Sequence, residues 1–108
     1  MGTTKKDTFN VDQLEIAQLA KALSHPARIA ILDYIIASKA CICGEIVDEI
    51  GLAQATISQH LKELKKIGII KGDISGTKTC YCINDERWCE IQEKLTSFFK
   101  NYPILKCC

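Results

Sequence analysis

The chain has 108 residues, 47% of them hydrophobic and 25% charged, with a formal net charge of +1. That length supports one small domain, alone or completed by a partner subunit, and excludes two independent cores. No apolar run approaches the roughly 20 residues that span a bilayer, and Met1 to Asp7 has no apolar stretch after its lysines. Neither a membrane partner nor a secretory signal is expected, and the location reads as cytoplasmic.

A reducing compartment disfavours stable disulfides, and an odd number of thiols cannot pair completely within one chain. The seven cysteines, Cys41, Cys43, Cys80, Cys82, Cys89, Cys107 and Cys108, therefore read as ligands, redox sensors or bystanders. Charge is uneven along the chain. Between Gln54 and Lys78 there are five lysines and two acids, flanked by acidic stretches on both sides. This basic block is the candidate phosphate-facing surface, since local charge rather than net charge decides such contacts.

From Val11 to Leu23, Leu14, Ile16, Ala17, Leu19, Ala20 and Leu23 fall at helical spacing, with Asp12 and Glu15 near the N-terminal end. Ser24-His25-Pro26 punctuates: Ser24 or His25 caps the next helix and Pro26 fits its first turn. That helix runs to about Ala37, with Ile29, Leu32 and Ile36 on one face, widened by Ile31 and Ile35. After a loop come Cys41-Ile42-Cys43, then Ile46, Val47 and Ile50 as the stripe of a short third helix that Gly51 ends. A fourth helix starts near Gln54, with Ile57, Leu61, Leu64 and Ile67 buried. Gln54, Ala55, Thr56, Ser58, Gln59, Lys62 and Lys66 are left outward.

Two helices joined by a glycine-containing turn, the second polar and basic outward, form the pattern of a helix-turn-helix whose second helix enters the DNA major groove. Gln and Ser can hydrogen-bond base edges while lysines neutralise phosphate. Gly68 to Lys71 and Lys78 to Ile83 read as strands around a turn at 73–77, a hairpin wing on which Lys71 and Lys78 grip the backbone. Asn84 or Asp85 caps a last helix carrying Trp88, Ile91, Leu95 and Phe98 or Phe99. Its apolar residues, with Leu14 and Leu19 of the first helix, are assigned to a dimer interface; packing within one domain is the alternative. The expected fold is mainly α with a small β-hairpin, five helices with two strands before the last. It occupies residues 11–100, between a tail at 1–10 and a cysteine-containing tail at 101–108.

Leu23-Ser24-His25-Pro26-Ala27-Arg28-Ile29-Ala30-Ile31-Leu32 resembles the Leu-x-x-Pro-x-Arg-x-x-Ile-Leu motif of the ArsR/SmtB repressors. Gln54-Ala55-Thr56-Ile57-Ser58-Gln59-His60-Leu61-Lys62-Glu63-Leu64 resembles their recognition helix, Gln-x-x-Val-Ser-x-His-Leu-x-x-Leu, and Gly68-Ile69-Ile70 and Tyr81-Cys82-Ile83-Asn84 their wing. The resemblance implies a homodimeric winged helix-turn-helix repressor that binds a palindromic operator and releases it when an inducer binds. Ala40-Cys41-Ile42-Cys43-Gly44-Glu45-Ile46 is similar to the family's arsenic-sensing box, Leu-Cys-Val-Cys-Asp-Leu-Cys, with Ile46 where that box has its third cysteine. Related repressors recruit terminal cysteines, which makes Cys107 and Cys108 the candidate remaining ligands. Ala53 stands where family members often have a Ser cap. The acid and histidine site of the family's last helix is absent, since His25 and His60 both lie elsewhere.

Thiolates at Cys41 and Cys43 favour As(III), Cd(II), Pb(II) or Zn(II) over hard cations. Read as the first turn of the third helix, Cys41 and Cys43 point about 200° apart, so binding one ion would unwind that turn. Cys80 and Cys82 share one strand face, where they form a second site or contribute nothing, and Cys89 reads as packing. The function expected is a DNA-binding repressor induced by arsenite; a thiol redox or persulfide sensor on the same scaffold is the rival, as is a Cd, Pb or Zn sensor. A structural zinc domain lacks the usual spacings, and no nucleophile, base and orienter converge as an enzyme needs.

Overall fold

A computed structural model describes residues 8–44, 46–75 and 78–104, with backbone alone for 73–75 and 78–79. Helix α1 (Val11–Ala22) opens on a capping box that sequence reading missed: Asn10 Oδ1 accepts from Gln13 N at 2.8 Å, and Asn10 N donates to Gln13 Oε1 at 3.0 Å. Helix α2 (Pro26–Ser38) is capped by His25, whose Nδ1 accepts from the Ala27 N–H at 3.2 Å. It ends at Lys39 in the left-handed region, φ 55°. Helix α3 (Ile46–Ile50) is closed by Gly51 at φ 81°, a conformation that costs glycine nothing. Helix α4 (Gln54–Lys66), strands β1 (Ile70–Ser75) and β2 (Lys78–Ile83), and helix α5 (Asp85–Lys100) complete the order.

The five helices and the antiparallel hairpin are those the sequence predicts, with shifted edges. Gly68 is not in a strand: it turns at φ 86°, its N–H donating to Lys65 O, and β1 instead continues to Ser75. Arg87 packs over Gly68, and its Nε donates to Ile67 O at 2.9 Å, fastening α5 to the end of α4.

A second difference sits before α3. Cys41 to Cys43 are extended rather than helical, because Ile42 pairs with Tyr81 as an antiparallel bridge. Ile42 N–H donates to Tyr81 O at 2.8 Å and Tyr81 N–H to Ile42 O at 2.7 Å. Strand β2 is therefore flanked on one edge by β1 and on the other by the lead-in to α3. The expected unwinding of a helical turn at Cys41-x-Cys43 falls away, since no helix begins there.

The core comprises Leu19 of α1, Ile31, Leu32 and Ile35 of α2, Ile42, Ile46, the inner face of α4, Ile69, Ile70 and Ile91 of α5. On α2 the buried stripe runs through Ile31, Leu32 and Ile35, while Ile29 and Ile36 of the expected face are exposed. Leu64, Ile31 and Ile35 are among the fully buried large side chains. Burying each is worth about 1.5–3 kcal/mol, so α4 is fixed in orientation mainly by its apolar face.

Candidate functional site

Helix α4 presents Gln54, Ala55, Thr56, Ser58, Gln59 and Lys62 to solvent while Ile57, His60, Leu61 and Leu64 face inward. The outward set is the one read from the sequence as DNA-contacting. Lys65 and Lys66 are exposed at its C-terminal end, where positive charge also complements the helix dipole. Ala53 gives the helix start no side-chain hydrogen bond, as its methyl side chain requires. On the wing, Lys71 is exposed. Lys78 begins β2, but its side chain lies outside the described residues.

His60 is a residue whose role sequence reading missed. Only 6% exposed, it accepts through Nδ1 from Arg28 Nε at 3.1 Å, and Arg28 Nη1 also donates to Ala22 O at 3.0 Å. The His25 ring stands 4.4 Å from the His60 ring, centroid to centroid. Burial foremost, then the electrostatic influence of the neighbouring His25 and Arg28, holds His60 below its ordinary value, in keeping with the acceptor role of its Nδ1. The set pins α4 to the α1–α2 junction. The available signal was positional: His60 falls in the buried register 57, 60, 61, 64.

The cysteines come together across the chain. Cys41 is linked to Cys82 and Cys43 to Cys80, with Cα separations of 4.3 and 4.1 Å. The expectation that these thiols stay unpaired is corrected: the Ile42–Tyr81 bridge sets the two Cys-x-Cys segments side by side, so each sulfur faces another. Among the described residues Cys89 is the free cysteine, exposed on α5 with Sγ 3.7 Å from Glu93 Oε1. Cys107 and Cys108, the expected remaining ligands, lie outside the described residues. Beside the Cys41–Cys82 link is a cleft of about 490 Å³ walled by Ile35, Ile36, Ala40, Ile83 and Trp88, with Lys39 and Asp85 at its polar edge.

Of the residues assigned to a dimer interface, Leu19 and Ile91 are only 1% and 4% exposed and belong to the chain's own core. Buried within the chain, they offer no area to a partner. Trp88 and Leu95 pack partly against that core. Leu14 and Phe98, 37% and 50% exposed, remain available, and Phe9, Val11, Phe99, Tyr102 and Ile104 are exposed as well. Glu15 ties the two helices at their flank, accepting from Lys94 Nζ at 2.9 Å and lying 3.9 Å from Arg87. That hydrogen bond raises Lys94 above its ordinary value.

A family profile described as a helix-turn-helix domain matches residues 23–73. An HTH-type transcriptional regulator of Methanocaldococcus jannaschii is 42% identical over 76 residues, covering 69% of this chain and 84% of that protein. The transcriptional repressor SmtB of Mycobacterium tuberculosis is 38% identical, over 68% of this chain and 54% of its own length. A cadmium resistance regulatory protein, a CadC homolog of Staphylococcus aureus, is 33% identical over 83% of this chain and 74% of that one. Among solved structures, an ArsR family transcriptional regulator superposes with a TM-score of 0.68 at 19% identity, covering 82% of this chain and 90% of that chain. A homodimeric winged helix-turn-helix DNA-binding domain from Mycobacterium bovis gives 0.61 at 22% identity over 87% and 86%. These structural likenesses concern the fold.

Proposed function

This chain belongs to the ArsR/SmtB family of winged helix-turn-helix transcriptional regulators, and from that premise we propose that it is a cytoplasmic repressor. It binds operator DNA as a homodimer and releases it when a thiophilic inducer, As(III) foremost, is taken by the thiolates of Cys41 and Cys43. The observation that carries this reading is the position of that pair. Ile42 between them is buried at 1% and hydrogen-bonded to the wing, four residues before α3, which in turn supports α4. A ligand pulling on these sulfurs moves the DNA-reading unit, and an inducer shifts the equilibrium by as much as its affinities for the two arrangements differ.

The outward face of α4 supports the DNA reading: short polar side chains for base edges, lysines for phosphate. The apolar residues left exposed on α1, α5 and just after α5 support dimerisation, since a patch of that kind on a small chain marks an interaction surface. The box resemblance favours As(III); the kinship with a cadmium resistance regulator favours a soft metal in general.

A second reading draws on the Cys41–Cys82 and Cys43–Cys80 links: oxidation itself is the signal, each pair giving two electrons and two protons to a peroxide or polysulfide. One experiment separates the two. A duplex selected from a random library is followed by anisotropy with the fully reduced protein, then titrated with arsenite, Cd(II), Zn(II) and polysulfide. Release by arsenite supports the metalloid reading, release by polysulfide alone replaces it with the redox one, and no sequence preference defeats the repressor reading.

A further inference from the structure

The inducer site as drawn from Cys41-x-Cys43 has two sulfurs, and Ile46, where a third would stand, is an apolar core residue. The ladder beside it supplies more. Because Ile42 and Tyr81 exchange both backbone hydrogen bonds, the flanking positions 41/82 and 43/80 are non-hydrogen-bonded pairs, where directly opposed side chains come closest. Alternation along each segment then sends Ile42 and Tyr81 to the inner face, against the core, and all four cysteines to the opposite one. The result is two rows of two sulfurs, the rows about 6.6 Å apart along the backbone.

We propose, resting on the inducer reading above, that Cys80 and Cys82 of β2 are the remaining ligands of the inducer site. Opened to thiols, the cluster holds one thiophilic ion, three sulfurs for As(III) and four for Cd(II). In this structure the four sulfurs are linked in two pairs, and among the described residues no set of three or more ligating side chains is gathered around one point. Each link opens by accepting two electrons and two protons from a dithiol reductant, which leaves as its own disulfide. Arsenous acid then exchanges its three hydroxyls for three As–S bonds, the thiol protons leaving with them as three waters. Cd(II) forms four Cd–S bonds and displaces four protons.

The geometry gives the site its output. Sulfurs about 2.3 Å from a shared tetrahedral ion stand roughly 3.8 Å from each other. Each linked pair must therefore part, and the two rows must draw together. One row-half rides on the lead-in to α3 and the other on the wing, so filling the site shifts wing against recognition helix. The two DNA-facing elements then no longer fit one operator together.

The test is an alkylation footprint of the reduced, unmutated full chain with arsenite or Cd(II), read by peptide mass spectrometry. Cd(II) is expected to protect Cys41, Cys43, Cys80 and Cys82 and leave Cys89, Cys107 and Cys108 reactive; arsenite protects Cys41, Cys43 and one wing cysteine. The paired variant Cys80→Ser/Cys82→Ser weakens Cd(II) binding by at least about 100-fold, since losing even the groups that merely orient ligands costs about 10- to 100-fold, whereas Cys107→Ser/Cys108→Ser leaves it unchanged. Protection of Cys107 or Cys108 in place of the wing pair overturns this inference and leaves the inducer reading standing. No protection of any cysteine overturns both.

Discussion

Helices α4 and α5 are both amphipathic, and they dispose of their apolar residues in opposite ways. Helix α4 buries Ile57, His60, Leu61 and Leu64 and shows solvent a polar, basic face. Helix α5 buries Ile91 alone, half-buries Trp88 and Leu95, and leaves Phe98 and Phe99 50% and 70% exposed. Sequence rhythm identifies a buried face in each; the outer face says what each is for. A polar, charged exterior suits phosphate and base edges, whereas exposed phenylalanines, like the exposed Val11 and Leu14 of α1, suit a second copy of the chain.

The sharpest way to break this contrast is to truncate one residue of each kind. Leu64→Ala, fully buried, is expected to cost about 2–5 kcal/mol of unfolding free energy in urea titrations. Phe99→Ala should stay within about 0.5 kcal/mol in the monomer, as exposed substitutions do. A comparable loss at both positions would show that α5 is packed in a way the contrast denies. Phe98→Glu with Phe99→Glu should raise the dimer dissociation constant by about 30-fold, roughly 2 kcal/mol, in sedimentation equilibrium, with helix content unchanged.

A smaller effect tests the pin beneath α4. His60 is held below its ordinary value of 6.5, so the unfolded chain binds its proton more readily than the folded one. Stability attached to neutral His60 is full above about that pH and is lost as pH falls below it. Urea midpoints should decline through this window, and His60→Gln should flatten the decline. Smallest is Ala53→Ser, which supplies the missing cap of α4 and should add about 0.5–1 kcal/mol.

Most of the helical frame was legible in the sequence because it rests on local rules. His25 caps α2, Pro26 fills its first turn, Gly51 ends α3, and Ile57, Leu61 and Leu64 follow the 3.6-residue period. The cysteine cluster was not legible, because it depends on pairing across 41 and 37 residues. Cys41-x-Cys43 next to a helix reads as a helix start until Tyr81 claims the Ile42 backbone. Cys80 and Cys82 were seen to share a face, but nothing local says what faces them. Leu19 and Ile91 failed for a related reason: periodicity finds an apolar stripe but not whether α1 and α5 cover each other or a partner.

The central claim is that operator release runs through the thiols of Cys41 and Cys43. Its most direct test is anisotropy on a selected operator, with reduced wild type and with Cys41→Ser/Cys43→Ser, each titrated with arsenite. Wild type should lose affinity by between about 5- and 150-fold, the range of a typical coupling free energy, while the variant binds DNA equally well and ignores arsenite. Equal release of both proteins would contradict the account.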